Sequence, residues 1–428
     1  MVRSRTFLAL AALLTSLPAL AQQTVQVRPS LETQQVLGAG AVVQGAALWV
    51  HPTDPANSLL LVADSQSGLL VYQLDGTQRA LIAEGTALGV DVQEGFRVGG
   101  ISQQLVMVAN QSNQGLLAYI VDPTTLNLRA AGLPPISTQG FNPNSVALYV
   151  SPTSGRSYAF AGTATGAVWQ FELVAQGDGG SAPNLVRMLN VGGPVVGLAV
   201  DDAQRTLYVV EQDVGIWQYG AEPNAADNRT SVDNVTGGGL LQPLGGVALY
   251  TASGGGGYLL AVSGGANAVR VYDRSPTAHT FRGSFVFVQN GGIDPVERPR
   301  QVVVSNRSLG TRFPQGMVAV HDSLNAAANE NFKLVPWSDI ATGFSPALTV
   351  DTGPGGTPDA GTPDGGVADG GGGSVPIGPP SGGPGEVPPG FDFGRGESSC
   401  SCSSASVPGT VLLVLAGGLL LSRRRRRS

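Results

Sequence analysis

Charge is scarce in this chain of 428 residues: only 13% are Asp, Glu, Lys or Arg, against roughly 25% in an average soluble protein. Lysine is almost missing, Lys333 being the only one. Seven of the arginines sit at the two ends, as Arg3, Arg5 and Arg423 to Arg427. Setting those seven aside leaves 17 bases against 30 acids, a balance of −13. A body so acidic excludes nucleic-acid binding, which needs basic stripes to displace counterions. It is compatible with divalent cations. Cysteine is nearly absent too. Cys400 and Cys402 are the only two, and a bridge across one residue would be strained. Three histidines, His51, His279 and His321, form no H-E-x-x-H and no Cys/His zinc pattern. Each reads as a satisfied surface or strand-end residue. No G-x-S-x-G elbow occurs, so serine or cysteine nucleophilic catalysis has no support. Long runs rich in Ala, Glu, Lys and Leu are missing, which excludes an α-solenoid or coiled coil. The 42% of apolar residues excludes disorder over the full length.

The two ends read as addresses. Residues 1–21, MVRSRTFLALAALLTSLPALA, have a short basic start, an apolar run and an A-x-A site. That pattern is a secretory signal, and the run is too short for a spanning helix of ~20 residues. At the other end come Cys400 and Cys402, then an apolar run from Val411 to Leu421, then the arginine block. This order over residues 400–428 resembles the myxobacterial C-terminal sorting tail. The resemblance implies processing at the Cys400–Cys402 motif. It also implies transient membrane association through Val411–Leu421, and a final place at the cell surface (outer membrane) or outside the cell. The same order of residues would also serve an ordinary tail anchor, with arginines on the cytoplasmic side. Residues 349–399 are nearly all Gly, Pro, Asp, Thr, Ser and Val. Such a segment cannot bury enough apolar surface to order itself and is expected to be a disordered Gly/Pro linker.

Between residues 23 and 345 one pattern recurs six times. An apolar strand meets a short polar turn, then a second apolar strand closes on an aromatic. The units are Leu59 to Tyr72, Gln104 to Tyr119, Ser157 to Phe171, Thr206 to Tyr219, Gly257 to Tyr272 and Gly316 to Trp337. The first five closing aromatics are roughly 50 residues apart. A period of that length with several short strands per unit predicts an all-β fold, a six-bladed β-propeller. A pair of β-sandwiches competes, but regular spacing favours blades. Candidate functional groups are then carboxylates near strand ends: Asp64, Asp91, Asp201, Asp202, Glu211, Asp213 and Asp322. Clustered, such oxygens hold Ca²⁺ through six to eight ligands. Singly, they cap turns.

Several stretches carry a family resemblance: ALWVHPTDPANSLLLVADSQSGLLVYQLDG (Ala47 to Gly76), GVDV (Gly89 to Val92), VANQSN (Val108 to Asn113), GLAVDDAQRTLYVVEQDVGIWQYGAEP (Gly197 to Pro223) and NFKLVPWSDIA (Asn331 to Ala341). The body resembles the β-propeller phytases. The resemblance implies a Ca²⁺-dependent phosphomonoesterase, a 3-phytase acting on myo-inositol hexakisphosphate. Its Ca²⁺ ions would be held by carboxylates at the channel mouth, and its phosphates by Lys and Arg. Carried over position by position, most of that set is replaced. Gln44 and Gly45 stand where the family has paired Asp, and Gln66, Gln111 and Ala164 where it has phosphate-holding Lys or Arg. Val196 stands for Glu, Pro243 and Gly245 for an Asp-x-Glu pair, and Arg300 to Val303 for Asp-Gly-Ile-Asp. Of the acidic set, Glu211 remains as the catalytic and metal candidate, with Asp213 beside it as a second metal candidate. The expectation is a surface-directed, phytase-like propeller whose hydrolase activity and Ca²⁺ use are weak or lost. Its ligand would be an inositol phosphate or another small molecule. The alternative is a non-catalytic surface propeller that binds a glycan, peptide or partner protein.

Overall fold

The computed structural model describes residues 23–98, 101–138, 142–174, 183–326 and 329–351. The expected signal, most of the linker and the tail with Cys400, Cys402 and Val411–Leu421 lie outside the described residues. So does all of a second unit, Gly365–Ser428.

Each of the six sequence repeats forms the central hairpin of one antiparallel sheet. In blade 1 the strands, from inside to outside, are Val43–Trp49, Leu59–Asp64, Gly68–Gln73 and Gln78–Ile82. Blades 2 to 5 begin their inner strands at Ala87, Pro143, Val195 and Leu244, and blade 6 at Val302. The inner strands pack side by side in a closed ring around a channel, giving the six-bladed propeller. The N-terminal segment completes two blades. Thr24–Val27 pairs in parallel with Phe281–Phe287 of blade 5, and Leu31–Glu32 pairs antiparallel with Asn331–Pro336 of blade 6. One chain segment thus joins the last two blades. Helix is nearly absent among the described residues. The aromatic expected to close the sixth hairpin, Trp337, instead opens the short helix Trp337–Ala341 and stacks on Tyr250 at 4.3 Å. No described helix is long and apolar enough to cross a membrane.

The core explains why so few charges suffice. Each blade is a sheet covered on both faces, so its middle strands can be apolar at every position. Leu59–Asp64 is buried throughout. Leu60 and Val62 pack toward blade 6, in a cluster with Phe313, Met317 and Phe332. Leu59, Leu61 and Ala63 pack toward blade 2, with Val106 and Val108. Six such clusters lie one between each neighbouring pair of blades. Burying one such side chain contributes about 1.5–3 kcal/mol, whereas an exposed ion pair contributes under ~1 kcal/mol. A chain poor in surface charge therefore gives up little. The buried charges that do occur staple neighbouring blades. Arg274 of blade 5 holds Asp201 of blade 4, with Nη2 2.6 Å from Oδ1.

The boundary expected at residue 345 moves outward. Leu348 is buried, the carbonyl of Thr349 accepts the Trp337 indole N–H at 2.9 Å, and Asp351 accepts the hydroxyl of Ser253 at 2.6 Å. Residues 346–351 therefore belong to the propeller, and three residues assigned to the linker are anchored on blade 5.

At the channel wall the strands come closest. A Cβ on Gly45 would lie 2.7 Å from the Cα of Gly89, one on Gly89 2.9 Å from the Cα of Ser145, and one on Gly197 3.0 Å from the Cα of Gly246. Backbone cannot yield as a flexible side chain can. Gly45→Ala is expected to lower stability by about 1–3 kcal/mol through overpacking. Gly256→Ala, whose Cβ would meet nothing within 4 Å, is expected to change it by less than ~0.5 kcal/mol. Equilibrium urea unfolding of both variants checks the contrast.

Candidate ligand site at the channel mouth

The pairing of inner to second strands slips by one residue at the same level in five blades. The shifts fall between Val43 and Gly45, Ala87 and Gly89, Pro143 and Ser145, Val195 and Gly197, and Leu244 and Val247. A β-bulge leaves one residue unpaired and re-aims its side chain. The residues skipped are Gln44, Leu88, Asn144, Val196 and, in blade 5, Gly245 with Gly246. All of these but Gly246, together with Leu244 and with Arg300 and Gln301 of blade 6, line a cavity of about 130 Å³ at the mouth. Gln301 closes the ring by donating from Nε2 to the carbonyl of Gln44 at 2.6 Å. Just below, Gly45, Gly89, Ser145, Gly197 and Gly246 continue into the channel, a cavity of about 300 Å³.

A second repeated position lies outside the mouth. The last residue of each second strand bears oxygen: Asp64, Asn110, Thr163, Glu211, Ser263 and Asp322. All are buried. Five of them tie down the chain entering their own blade. Asp64 accepts from Gly38 N at 3.3 Å, and Asn110 donates to Glu84 O at 2.8 Å. Glu211 accepts from Gly193 N at 2.6 Å, Ser263 from Leu241 N at 2.8 Å, and Asp322 from Glu297 N at 2.9 Å. Glu211 therefore occupies a position that serves architecture in five of the six blades. Its second oxygen accepts the indole N–H of Trp217 at 2.6 Å, and Arg229 lies 3.6 Å from the same oxygen while stacking on the Trp217 ring. Asp213 sits in the exposed turn two residues on, at φ 62°, with its carbonyl accepting from Gln242. The structure does not bring these two candidates to the mouth ring.

The remaining sequence candidates separate. Asp201 is spent on Arg274. Asp91 and Asp202 line the channel and are, among the described residues, its only titratable groups. The surface they keep faces the channel rather than bulk water. Burial pushes Asp91 up to about 6, against a 2.7 Å hydrogen bond from Leu148 N. Burial, reinforced by the charges of Asp91 and Asp201, pushes Asp202 up to about 7. Three carboxylates do converge in blade 6, but a cation fills their centre. The fully buried Lys333 ammonium lies 2.7 Å from Asp294, 3.0 Å from Asp322 and 3.0 Å from Glu32. Burial alone would lower its pKa, and the three acids reverse that and raise it. The histidines divide. His51 accepts from Thr53 N and Asp54 N, and His279 bonds Gln218 and Asp273. His321 departs from the satisfied role expected for it. It is fully buried inside a strand, neither ring nitrogen has a hydrogen-bond partner, and Glu330 is 3.6 Å away.

The chain's membership rests on comparison. The phytase family matches residues 2–354. A "3-phytase" of Bacillus subtilis (strain 168) is 31% identical over 324 residues, covering 74% of this chain and 85% of that relative. This chain belongs to the phytase family. A solved structure of BBS1N in complex with ARL6DN, soaked with lead, aligns over 67% of this chain and 80% of that one. Its 13% identity and TM-score of 0.39 are too slight to bear on function. The family is known for calcium use. Calcium needs six to eight oxygens, several of them carboxylate. The mouth presents two Gln, one Asn, three aliphatic side chains, glycine and one guanidinium. Among the described residues no group of three or more His, Cys, Asp or Glu could hold a metal ion. The mouth does not fit calcium.

The bulge ring could have been found in the sequence. The short stretches VQGAAL, ALGVDV, PNSVAL and VVGLAV share a polar or aliphatic residue before Gly or Ser, but they are too degenerate to stand out without the register. Glu211→Ala would leave two half-buried N–H groups, of Gly193 and Trp217, unpaired. It is expected to lower stability by about 1–3 kcal/mol in thermal unfolding. A second expectation concerns pH. Asp202 keeps its proton in the folded chain at pH values where the unfolded chain has lost it, so stability falls as pH rises from about 4 to about 7. Asp202→Asn removes that share. Its melting temperature should exceed wild type by about 5 °C at pH 8 and by about 1 °C at pH 4.

Proposed function

We propose that this phytase-family propeller is exported and directed to the cell surface, and that it acts by binding at its channel mouth. Its phosphomonoesterase activity on phytate is weak or lost. The observation that carries this reading is the composition of the bulge ring. The seven side chains that line the mouth include no carboxylate and one cation. The turns where Gln66, Gln111 and Ala164 stand add no cation. Phosphoryl transfer to water needs charge placed where the leaving and attacking oxygens develop theirs. The signal-like N-terminus and the sorting-type tail support export and a surface place. A surface partner is the second reading. Leu37, Val214, Leu241 and Leu324 are each 39–55% exposed and sit in the turns and crossovers on the mouth side.

Phosphate release from phytate and from a chromogenic phosphate ester, in Ca²⁺, tests the main reading. The full chain is expected to be at least ~10²-fold slower than the B. subtilis 3-phytase assayed beside it, the scale of losing one charge-stabilising group. Turnover within about tenfold of that relative would overturn it.

A further inference from the structure

We infer that the mouth is a metal-free site for a compact oxyanion, a carboxylate or phosphate group on a small ligand, anchored by Arg300. The inference rests on the reading of the mouth as a binding site and names what it binds.

Arg300 lines the mouth cavity, half-buried, and its guanidinium has no hydrogen-bond or ion-pair partner among the described residues. Other arginines near the blade interfaces are engaged. Arg187 reaches Asp227 and the carbonyl of Gly220, Arg270 pairs with Asp233, and Arg307 with Glu94. A half-buried cation left unpaired beside a cavity is costly unless something supplies the missing charge.

The placement of Arg300 is fixed by backbone on both sides. Its carbonyl accepts from Gly246 N at 2.7 Å, and the next side chain, Gln301, is pinned to the carbonyl of Gln44. The guanidinium is thus delivered to the mouth by a rigid strand start and not by a loose loop. Across the ring the Asn144 amide is also without a partner, and adds two donors and an acceptor. No acid stands in the mouth ring to compete for the guanidinium. The carboxyl pair deeper in the channel, Asp91 and Asp202, is held largely protonated in mildly acidic solution by burial.

Size and charge select the ligand. A cavity of about 130 Å³ has room for about four waters at ~30 Å³ each. That suits one carboxylate or phosphate with a carbon or two. One guanidinium presents a planar fork that matches such a group bidentately. It offsets one or two negative charges. A hexakisphosphate would bring many more to a single cation on an acidic body.

The test is calorimetric titration of the full chain with inorganic phosphate and, separately, with acetate, both in EDTA. Single-site binding of either anion, in the low-millimolar range, is expected, and the tighter of the two names the ligand class. Arg300→Gln should weaken it at least tenfold and Asn144→Ala about threefold. Arg300→Lys should recover part of the loss, since it keeps the charge and loses the fork. Circular dichroism and melting temperature confirm that each variant folds. Absence of binding by both anions, unchanged affinity in Arg300→Gln, or binding that appears only when Ca²⁺ replaces EDTA would overturn the inference. A null titration in a chain that also fails to turn over phytate removes only the oxyanion assignment. Turnover of phytate alongside metal-free phosphate binding removes instead the reading of the mouth as a site without hydrolysis.

Discussion

Six strand starts share one narrow ring, and the rest of the molecule follows from how tightly they share it. At Gly45, Gly89 and Gly197 the neighbouring backbone leaves no room for a side chain. The ring holds because five of the six inner strands bulge just before that level, so the strand can turn into the channel wall without losing its pairing. The bulge has a second effect. It places the skipped residue at the mouth in those five blades, and Arg300 and Gln301 fill the sixth sector. Chemistry at the mouth is thus decided by a handful of positions that the packing of the blades places but does not constrain in type.

This separates two kinds of polar residue that look alike in sequence. Residues at the ends of the second strands are buried and bonded to the chain entering the same blade. They are under structural constraint, and Glu211 is one of them. Residues in the bulge ring are under less, apart from Gly245, where a Cβ would lie 2.3 Å from the carbonyl oxygen of Arg300. Gln44, Leu88, Asn144, Val196 and Arg300 line the mouth without that restriction. A propeller can therefore keep its scaffold independently of the side chains most of its mouth positions carry. The place of Glu211 has a structural explanation that does not need catalysis.

The architecture was legible in the residues because hairpins with two apolar faces and closing aromatics are periodic. All six units read from Leu59 to Trp337 are the central hairpins of blades. The limits were local. Thr349 to Asp351 read as linker because Gly and Pro begin right after them, yet Asp351 is held by Ser253 and by the Tyr250 hydroxyl. The inward aim of Gln44 and Asn144 depends on a register slip, which alternation of apolar and polar residues does not record. The coupling of Asp91 to Asp202 joins two blades more than a hundred residues apart, and no spacing rule reaches that far. Arg300 was visible only as a replacement; its lack of any partner is a fact of three dimensions.

The central claim is that the mouth does not hold calcium and works through a ring whose single charge is the Arg300 guanidinium. Calorimetric titration of the full chain with Ca²⁺ alone addresses it most directly. The account predicts no tight site and no more than weak, salt-screened association with the acidic surface. Stoichiometric binding of several Ca²⁺ ions at micromolar affinity or tighter would contradict it.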